Sequence, residues 1–250
     1  MIITSKNNAI VAEAKKLKQA KYRKKENLFL VEGEKNLYDS LIKGEIIKLF
    51  CREGVTPPKK ADCPVYTVSE AVMKELCDTV TPQGLAGIFK IPEFQSELTG
   101  NNILALNGVS DPGNVGTILR TALAMGYNTI ICDDKTADVY SPKVVRSAMS
   151  AVFSLNIMKT DNLKEKLAYY KEEGYFIFSG CLKEASEEID SICFPDKNII
   201  VMGNEGNGVS SEIISISDKT YIIPMPGDIE SLNVAVAAGI SMYAAQKSQN

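Results

Sequence analysis

Histidine is absent from all 250 residues, and so is tryptophan. Without an imidazole the chain cannot run serine–histidine–aspartate hydrolysis, build a histidine zinc site or use imidazole as an acid or base. Long apolar runs are missing too. The longest uncharged apolar-rich stretch lies between Glu230 and Lys247, and its 16 residues include Ser231, Asn233 and Ser241. It is too short and too polar to span a bilayer. The first residues hold no apolar core of signal-peptide length, so a cytoplasmic protein with no membrane partner is expected. The six cysteines include no C-x-x-C pair. Zinc would need four of them to converge, and no metal is expected. Cys132, in the run Thr129-Ile130-Ile131-Cys132, reads as inert strand core.

What is present is an ordinary globular composition, 45% hydrophobic and 24% charged, with enough chain for one or two cores. The net charge of −3 hides an asymmetry. Residues 1–25 carry Lys6, Lys15, Lys16, Lys18, Lys21, Arg23, Lys24 and Lys25 against Glu13 alone. A basic end on an acidic body suits docking of a polyanion; a solvated helix face is the plainer alternative.

Ile10, Ala14, Leu17 and Lys21 fall at helical spacings, which predicts a helix over 7–25. A short strand over 27–31, a second amphipathic helix through Leu37, Leu41 and Ile42, and strands at 46–50, 65–68 and 85–89 follow. Turns are marked at Thr56-Pro57-Pro58 and Thr81-Pro82-Gln83-Gly84. Residues 1–90 thus read as a small αβ unit, with residues 91–97 as a linker. Beyond it, strands at 103–106, 129–132, 175–179, 199–202 and 221–223 alternate with helical patterns at 115–125, 163–173, 210–216 and 232–246. Such alternation implies a mostly parallel α/β sheet whose ligands bind in loops at the carboxyl ends of strands.

Three strand-to-helix junctions carry chemistry. In the first, Asp111-Pro112-Gly113-Asn114-Val115-Gly116 leads into a helix holding Arg120. Asp111 before Pro112 suits a helix cap. Arg120 sits among Ile118, Leu119, Ala122 and Leu123, where an unpaired charge is costly. It calls for a partner, either a salt bridge to a neighbouring element or an anion in a shared site. In the second, Gly203-Asn204-Glu205-Gly206-Asn207-Gly208 follows an apolar strand. This glycine-rich turn offers backbone donors, but it lacks the phosphate-loop lysine, and Glu205 would repel a pyrophosphate. Glu205 fits better beside a cation or a hydroxyl donor. The third, Ile223-Pro224-Met225-Pro226-Gly227, runs through Ser231, Leu232 and Asn233 into an alanine-rich helix. Ser231 could be an N-cap and Asn233 could satisfy a turn.

Together these stretches resemble the three signature motifs of the SpoU/TrmH family of RNA ribose 2′-O-methyltransferases, in the SPOUT superfamily. The likeness runs through D-P-x-N-x-G-x-x-x-R at 111–120, G-x-E-x-x-G at 203–208 and I-P-M-x-G-x-x-x-S-L-N-V at 223–234. Residues 1–90 are similar to the substrate-binding extension of the ribosomal-RNA members, through 21–25, 29–33 and Pro82-Gln83-Gly84. The resemblance implies an L30e-like RNA-binding domain with its linker over 1–95 and a SPOUT methyltransferase domain over 96–250. It implies a deep trefoil knot, which general topology rules would exclude. It also implies S-adenosylmethionine as cofactor and a homodimer.

On that basis Asn114, Arg120, Glu205, Ser231 and Asn233 match the family's catalytic positions, and Gly203, Ile223, Met225 and Leu232 its cofactor contacts. Lys15, Lys18, Lys21, Arg23, Lys24 and Lys25 are the expected RNA contacts, with ribosomal RNA ahead of transfer RNA. One block departs. Where the family reads close to S-P-K-x-x-R-x-S-x-G-A, this chain has Ala148 for the serine and Ser150 for the glycine, with Ser147 offering a hydroxyl next door. The rival readings are a transfer-RNA methyltransferase, an RNA-binding protein without turnover, and a nucleotide-dependent α/β enzyme. The last would place G-x-G-x-x-G after the first strand of the second domain, where Asp-Pro-Gly-Asn stands.

Overall fold

Asn8 begins the first helix by accepting a hydrogen bond from the Ile10 N–H at 3.0 Å, which satisfies one orphan donor of a helix start. The computed structural model describes residues 2–95, 98, 100–181, 186–228 and 230–249. It ends this helix, α1 (Ala9–Lys16), at Leu17 and opens a second, α2 (Ala20–Glu26), after an extended Gln19. The single helix expected over 7–25 is therefore two. Arg23 is tied into the break. Its Nη1 donates to the Leu17 carbonyl at 2.7 Å, and its Nε and Nη2 donate to Asp138 at 3.0 and 2.5 Å.

Arg23 is only 4% exposed, so its assignment as an RNA contact is corrected: it is a buried anchor. Three lysines of that set are engaged as well. Lys15 pairs with Glu75 at 2.8 Å, Lys18 with Asp78 at 2.8 Å and Lys25, at the surface, with its neighbour Glu26 at 3.4 Å. Lys21, Lys24 and Lys25 stay exposed. Truncating a buried ion-pair partner costs ~3 kcal/mol at the lower end of the usual range, which suits an Asp138 side chain still 33% exposed. Arg23→Ala should therefore lower Tm by roughly 6–12 °C, whereas Lys24→Ala leaves it within about 2 °C. Equal melting of the two variants in a thermal scan would refute the anchor.

The chain continues through β1 (Leu28–Glu32), α3 (Glu34–Lys43), β2 (Ile46–Arg52), β3 (Val65–Val68), α4 (Glu70–Leu76) and β4 (Leu85–Lys90). Their sheet has the order β1-β4-β2-β3, with β4 antiparallel to both neighbours and β3 parallel to β2. Val11, Ala14, Leu30, Phe50, Val72 and Leu76 share its core. Of the linker expected over 91–97, residues 96 and 97 lie outside the described residues.

The second sheet starts with β5 (Asn102–Asn107), α5 (Pro112–Ala124) and β6 (Thr129–Cys132). The chain then runs through α6 (Pro142–Ala148), which no sequence pattern had marked. Residues Asp138–Ser154 form one compact unit with Met1–Glu93, and Phe94–Ala137 with Leu155–Asn250 form the other. The sequence reading had left 138–154 in the second domain. Their packing explains the difference. The rings of Tyr140 and Phe153 lie 5.0 and 5.2 Å from that of Phe29, and Arg146 pairs with the buried Glu32. Ala148, one of the two departures from the family block, is fully buried here. Ser147 makes no hydrogen bond among the described residues.

The second unit resumes with β7 (Asn156–Lys159), α7 (Leu163–Glu172), β8 (Phe176–Gly180), β9 (Glu187–Glu188), β10 (Asn198–Gly203), α8 (Ser211–Ile214), β11 (Lys219–Ile222) and α9 (Val234–Gln249). Its seven strands are all parallel, in the order β7-β6-β5-β10-β8-β11-β9. Every residue of β6 and β10 is buried, as strands covered on both faces require. Burial pushes the Cys132 thiol up to about 12, in keeping with inert core. The sheet changes direction between β5 and β10: the chain leaves β5 toward β6 on one side and β10 toward β11 on the other. That switch point is where such sheets bind ligands. Among the described residues no helix is long and apolar enough to cross a membrane.

Candidate active site

Parallel pairing sets Gly203, the last residue of β10, opposite Asn107, the last of β5, so the first two junction loops leave the sheet side by side. The Gly203 position tolerates no side chain: a Cβ there would lie 2.1 Å from the Gly208 and Val209 backbone. The loop folds back on itself, with Asn204 and Gly208 exchanging backbone hydrogen bonds at 3.0 and 2.9 Å. Asn204 Nδ2 then crosses to the Gly108 carbonyl at 2.8 Å.

Asp133 holds the first loop from beneath. It is buried and accepts from the Gly108 N–H at 3.0 Å, Asn107 Nδ2 at 3.0 Å, the Thr136 N–H at 2.8 Å and the Thr136 hydroxyl at 2.7 Å. Gly108 carries φ +77°, a conformation glycine adopts without strain. Above it, Asp111 accepts from the Asn114 N–H at 2.9 Å with Pro112 in the first turn of α5, the cap expected from sequence.

Glu205 reaches from the second loop into this cap. Its Oε2 accepts from the Ser110 N–H and hydroxyl at 3.0 and 2.9 Å, and its Oε1 from the Asp111 N–H and Asn114 Nδ2, both at 3.0 Å. A cation or a hydroxyl donor beside Glu205 was expected; the Ser110 hydroxyl is there, joined by two backbone N–H groups and the Asn114 and Asn204 amides. Partial burial pushes the carboxyl up, but the hydrogen bonds from Asn114, Ser110 and Asp111 outweigh it and hold it at about 2. Glu205 is thus a carboxylate at any working pH, with five donors on it once Asn204 Nδ2 at 3.5 Å is included.

Asn114 passes the connection on. Its Oδ1 accepts from Asn233 Nδ2 at 2.9 Å, and Asn233 Oδ1 accepts from the Ala235 N–H at 2.9 Å. Asn233, not Ser231, therefore caps α9, which begins at Val234. Ser231 is exposed and makes no hydrogen bond among the described residues. Glu205, Asn114 and Asn233 consequently tie all three loops together.

Arg120 stands apart. It is exposed on α5 and makes no ion pair or hydrogen bond among the described residues, so the structural salt bridge that its apolar neighbours suggested is absent. Neither Glu205 nor Asn114 hydrogen-bonds to it. Of the expected cofactor contacts, Gly203 is buried, while Ile223, Met225 and Leu232 are half-buried on the third loop. Ile229 of that loop lies outside the described residues. Ser110, Asn204 and Asp133 went unnoticed in the sequence. Only Asn204, inside the glycine-rich turn, stood within a legible motif.

Residues 101–243 match the SpoU rRNA Methylase family, and residues 8–87 match the MRM3-like substrate binding domain. The chain is 33% identical to the 23S rRNA (guanosine(2553)-2'-O)-methyltransferase RlmP of Bacillus subtilis over 96% of this chain and 97% of that protein. It is 27% identical to the mitochondrial rRNA methyltransferase 3 of Xenopus tropicalis over 90% of this chain and 71% of that one. The crystal structure of an AdoMet-bound rRNA methyltransferase from Sinorhizobium meliloti superposes with a TM-score of 0.87 at 29% identity, covering 99% and 97% of the two chains. The matched span contains all three loops and the Glu205–Asn114–Asn233 connection, and on that evidence this chain belongs to the SpoU rRNA methylase family.

Proposed function

We propose that this protein transfers a methyl group from S-adenosylmethionine to a ribose 2′-hydroxyl of RNA in the cytoplasm, acting on 23S ribosomal RNA ahead of transfer RNA. The observation that carries the reading is the hydrogen-bond chain from Glu205 through Asn114 to Asn233, which fixes three loops at the switch point of a parallel sheet. The ribosomal preference rests on the relatives' substrates and on the substrate-binding match over residues 8–87. The first unit takes the RNA and the second performs the chemistry. Lys21, Lys24 and Lys25, still exposed, are the basic contacts. The exposed Val236 and Tyr243, two turns apart on α9, suit the face of a homodimer. The knotted crossing belongs to the same reading.

The third loop fits the cofactor. Met225 and Leu232 leave their backbone N–H and C=O groups without partners among the described residues, Pro224 and Pro226 have no N–H to offer, and half-buried Ile223, Met225 and Leu232 supply apolar surface. Unpaired backbone groups beside apolar side chains suit a purine edge and face. With Gly203 they would hold the cofactor, which supplies an electrophilic methyl group. The protein's remaining task is positioning and handling one proton. Glu205, saturated by donors and held at about 2, orients the first loop and takes no proton. Arg120, a cationic planar guanidinium, grips the target phosphate and favours loss of the proton from the attacking 2′-hydroxyl, which leaves late to water. Asn233 and Ser231 hold the nucleotide.

Incubation with methyl-labelled S-adenosylmethionine and separately purified undermethylated ribosomal and transfer RNA, followed by digestion and mass spectrometry, tests this. A single 2′-O-methylated nucleoside from 23S RNA is the expected result. Label in transfer RNA alone overturns the substrate. Cofactor binding without transfer to either RNA overturns the enzyme reading in favour of a silent RNA binder.

A further inference from the structure

At the amino ends of β8 and β10, the opposite end of the sheet from the Glu205 loop, α7 overhangs a groove of about 320 Å³. Its walls include Lys166, Tyr169, Tyr170, Glu173, Tyr175 and Lys197, with Phe94 and Leu98 along one side. Tyr170 and Tyr175 are fixed in the core, 5% and 6% exposed, with Leu163, Leu167 and Ile177 around them. Tyr169 is different. Its ring is 51% exposed and is braced edge-on by Tyr170, centroid to centroid 5.2 Å.

The cations sit over these rings. Lys166 Nζ is 4.9 Å from the Tyr169 centroid and 5.3 Å from that of Tyr170, and Lys197 Nζ is 5.3 Å from that of Tyr175. Among the described residues Lys166 has no carboxylate partner, and none of the three phenol hydroxyls makes a hydrogen bond. Lys197 uses one donor, on the Glu173 carbonyl at 3.0 Å. An exposed braced ring offers a stacking face, two ammonium groups offer phosphate contacts, and the Glu173 carboxylate can accept from an exocyclic amine. That combination recognises an unstacked nucleotide, and the volume sits at the lower end of ligand pockets.

We propose that this groove is a second RNA site, taking one unpaired nucleotide with its base on Tyr169 and its phosphate between Lys166 and Lys197. The idea rests on the RNA reading above and extends it. The site lies roughly 17 Å from the Glu205 loop along β10, at 3.3 Å per residue, so it grips single-stranded RNA flanking the target.

The test uses the full chain and a mixed-sequence single-stranded RNA oligonucleotide carrying 4-thiouridine. Photocrosslinks should map by mass spectrometry to the peptide holding Tyr169. In fluorescence anisotropy Tyr169→Ala should weaken binding by about 5- to 100-fold, the worth of one stacked base. Tyr169→Phe should restore it to within about twofold, and Lys166→Glu should weaken it. Because Tyr169 is exposed, its replacement does not threaten folding. The RNA concentration giving half-maximal methyl transfer should rise by a similar factor in Tyr169→Ala. Unchanged affinity in both variants, with crosslinks confined to the helix bearing Lys21 and Lys24, overturns the groove while leaving the enzyme reading intact. A wild-type chain that crosslinks at Tyr169 but transfers no methyl group to any RNA keeps the groove and overturns the enzyme reading.

Discussion

Arg120→Ala is expected to reduce single-turnover methyl transfer by on the order of 10³-fold, the scale of losing one charge-stabilising donor at a reaction centre. The side chain is exposed and makes no hydrogen bond or ion pair among the described residues, so the loss should not come from unfolding: Tm should stay within about 2 °C, as for other surface changes. S-adenosylmethionine binding by calorimetry should shift less than about threefold, because Arg120 lies on α5 and the proposed cofactor contacts lie on the other two loops. Arg120→Lys keeps the charge but loses the planar fork that fits phosphate, and should recover only part of the rate. Wild-type transfer by Arg120→Ala would end the proposed role.

Glu205→Gln carries the second large effect, roughly a 10²-fold loss of transfer, through a different route. Five donors converge on the carboxylate, and a glutamine turns an NH2 toward at least two of them. The loops then lose their register, so cofactor affinity should fall along with the rate, unlike the Arg120 case. The charge also has a pH signature. The carboxyl sits at about 2 in the folded chain, below the ~4.3 of an unfolded glutamate. Its contribution to stability is complete above about pH 4.3 and disappears as pH falls through 2. The Tm difference between wild type and Glu205→Gln should therefore be constant from pH 5 to 8 and close in acid. Between pH 5 and 9 the rate profile should show no break from Glu205. A wild-type inflection in that range that Glu205→Gln abolishes would contradict a purely orienting carboxylate.

Much of the site was readable in the chain because its parts are local. Asp111 and Pro112 announce a helix start, Gly203 and Gly208 announce a folded-back loop, and the apolar runs of β5, β6 and β10 need both sheet faces covered, so they read as parallel core strands. The twin-unit reading came from the same patterns, with boundaries within a few residues for most elements. Other features had no local signature. Asp133 and Ser110 look like ordinary loop residues, and their importance comes from backbone N–H groups and turns they meet only in the fold. Asn233 displaces Ser231 as the cap of α9 because the chain enters that helix two residues later than the Ser231 position suggests.

The basic end shows the division most clearly. Composition determined that a cationic segment exists and where it lies, since charge is a property of residues. Which cations remain free is a property of contacts. Arg23 is consumed by Asp138, 115 residues away, and Lys15 and Lys18 by Glu75 and Asp78 about 60 residues on. No spacing rule reaches that far, because helical and strand periodicities describe neighbours within a few residues. The sequence alone determined most of the elements, the three loops and the chemistry each loop can offer, but neither α6 nor the break between α1 and α2. The tertiary structure decided which polar groups meet, since a buried ion or donor is stable only where the fold delivers its partner.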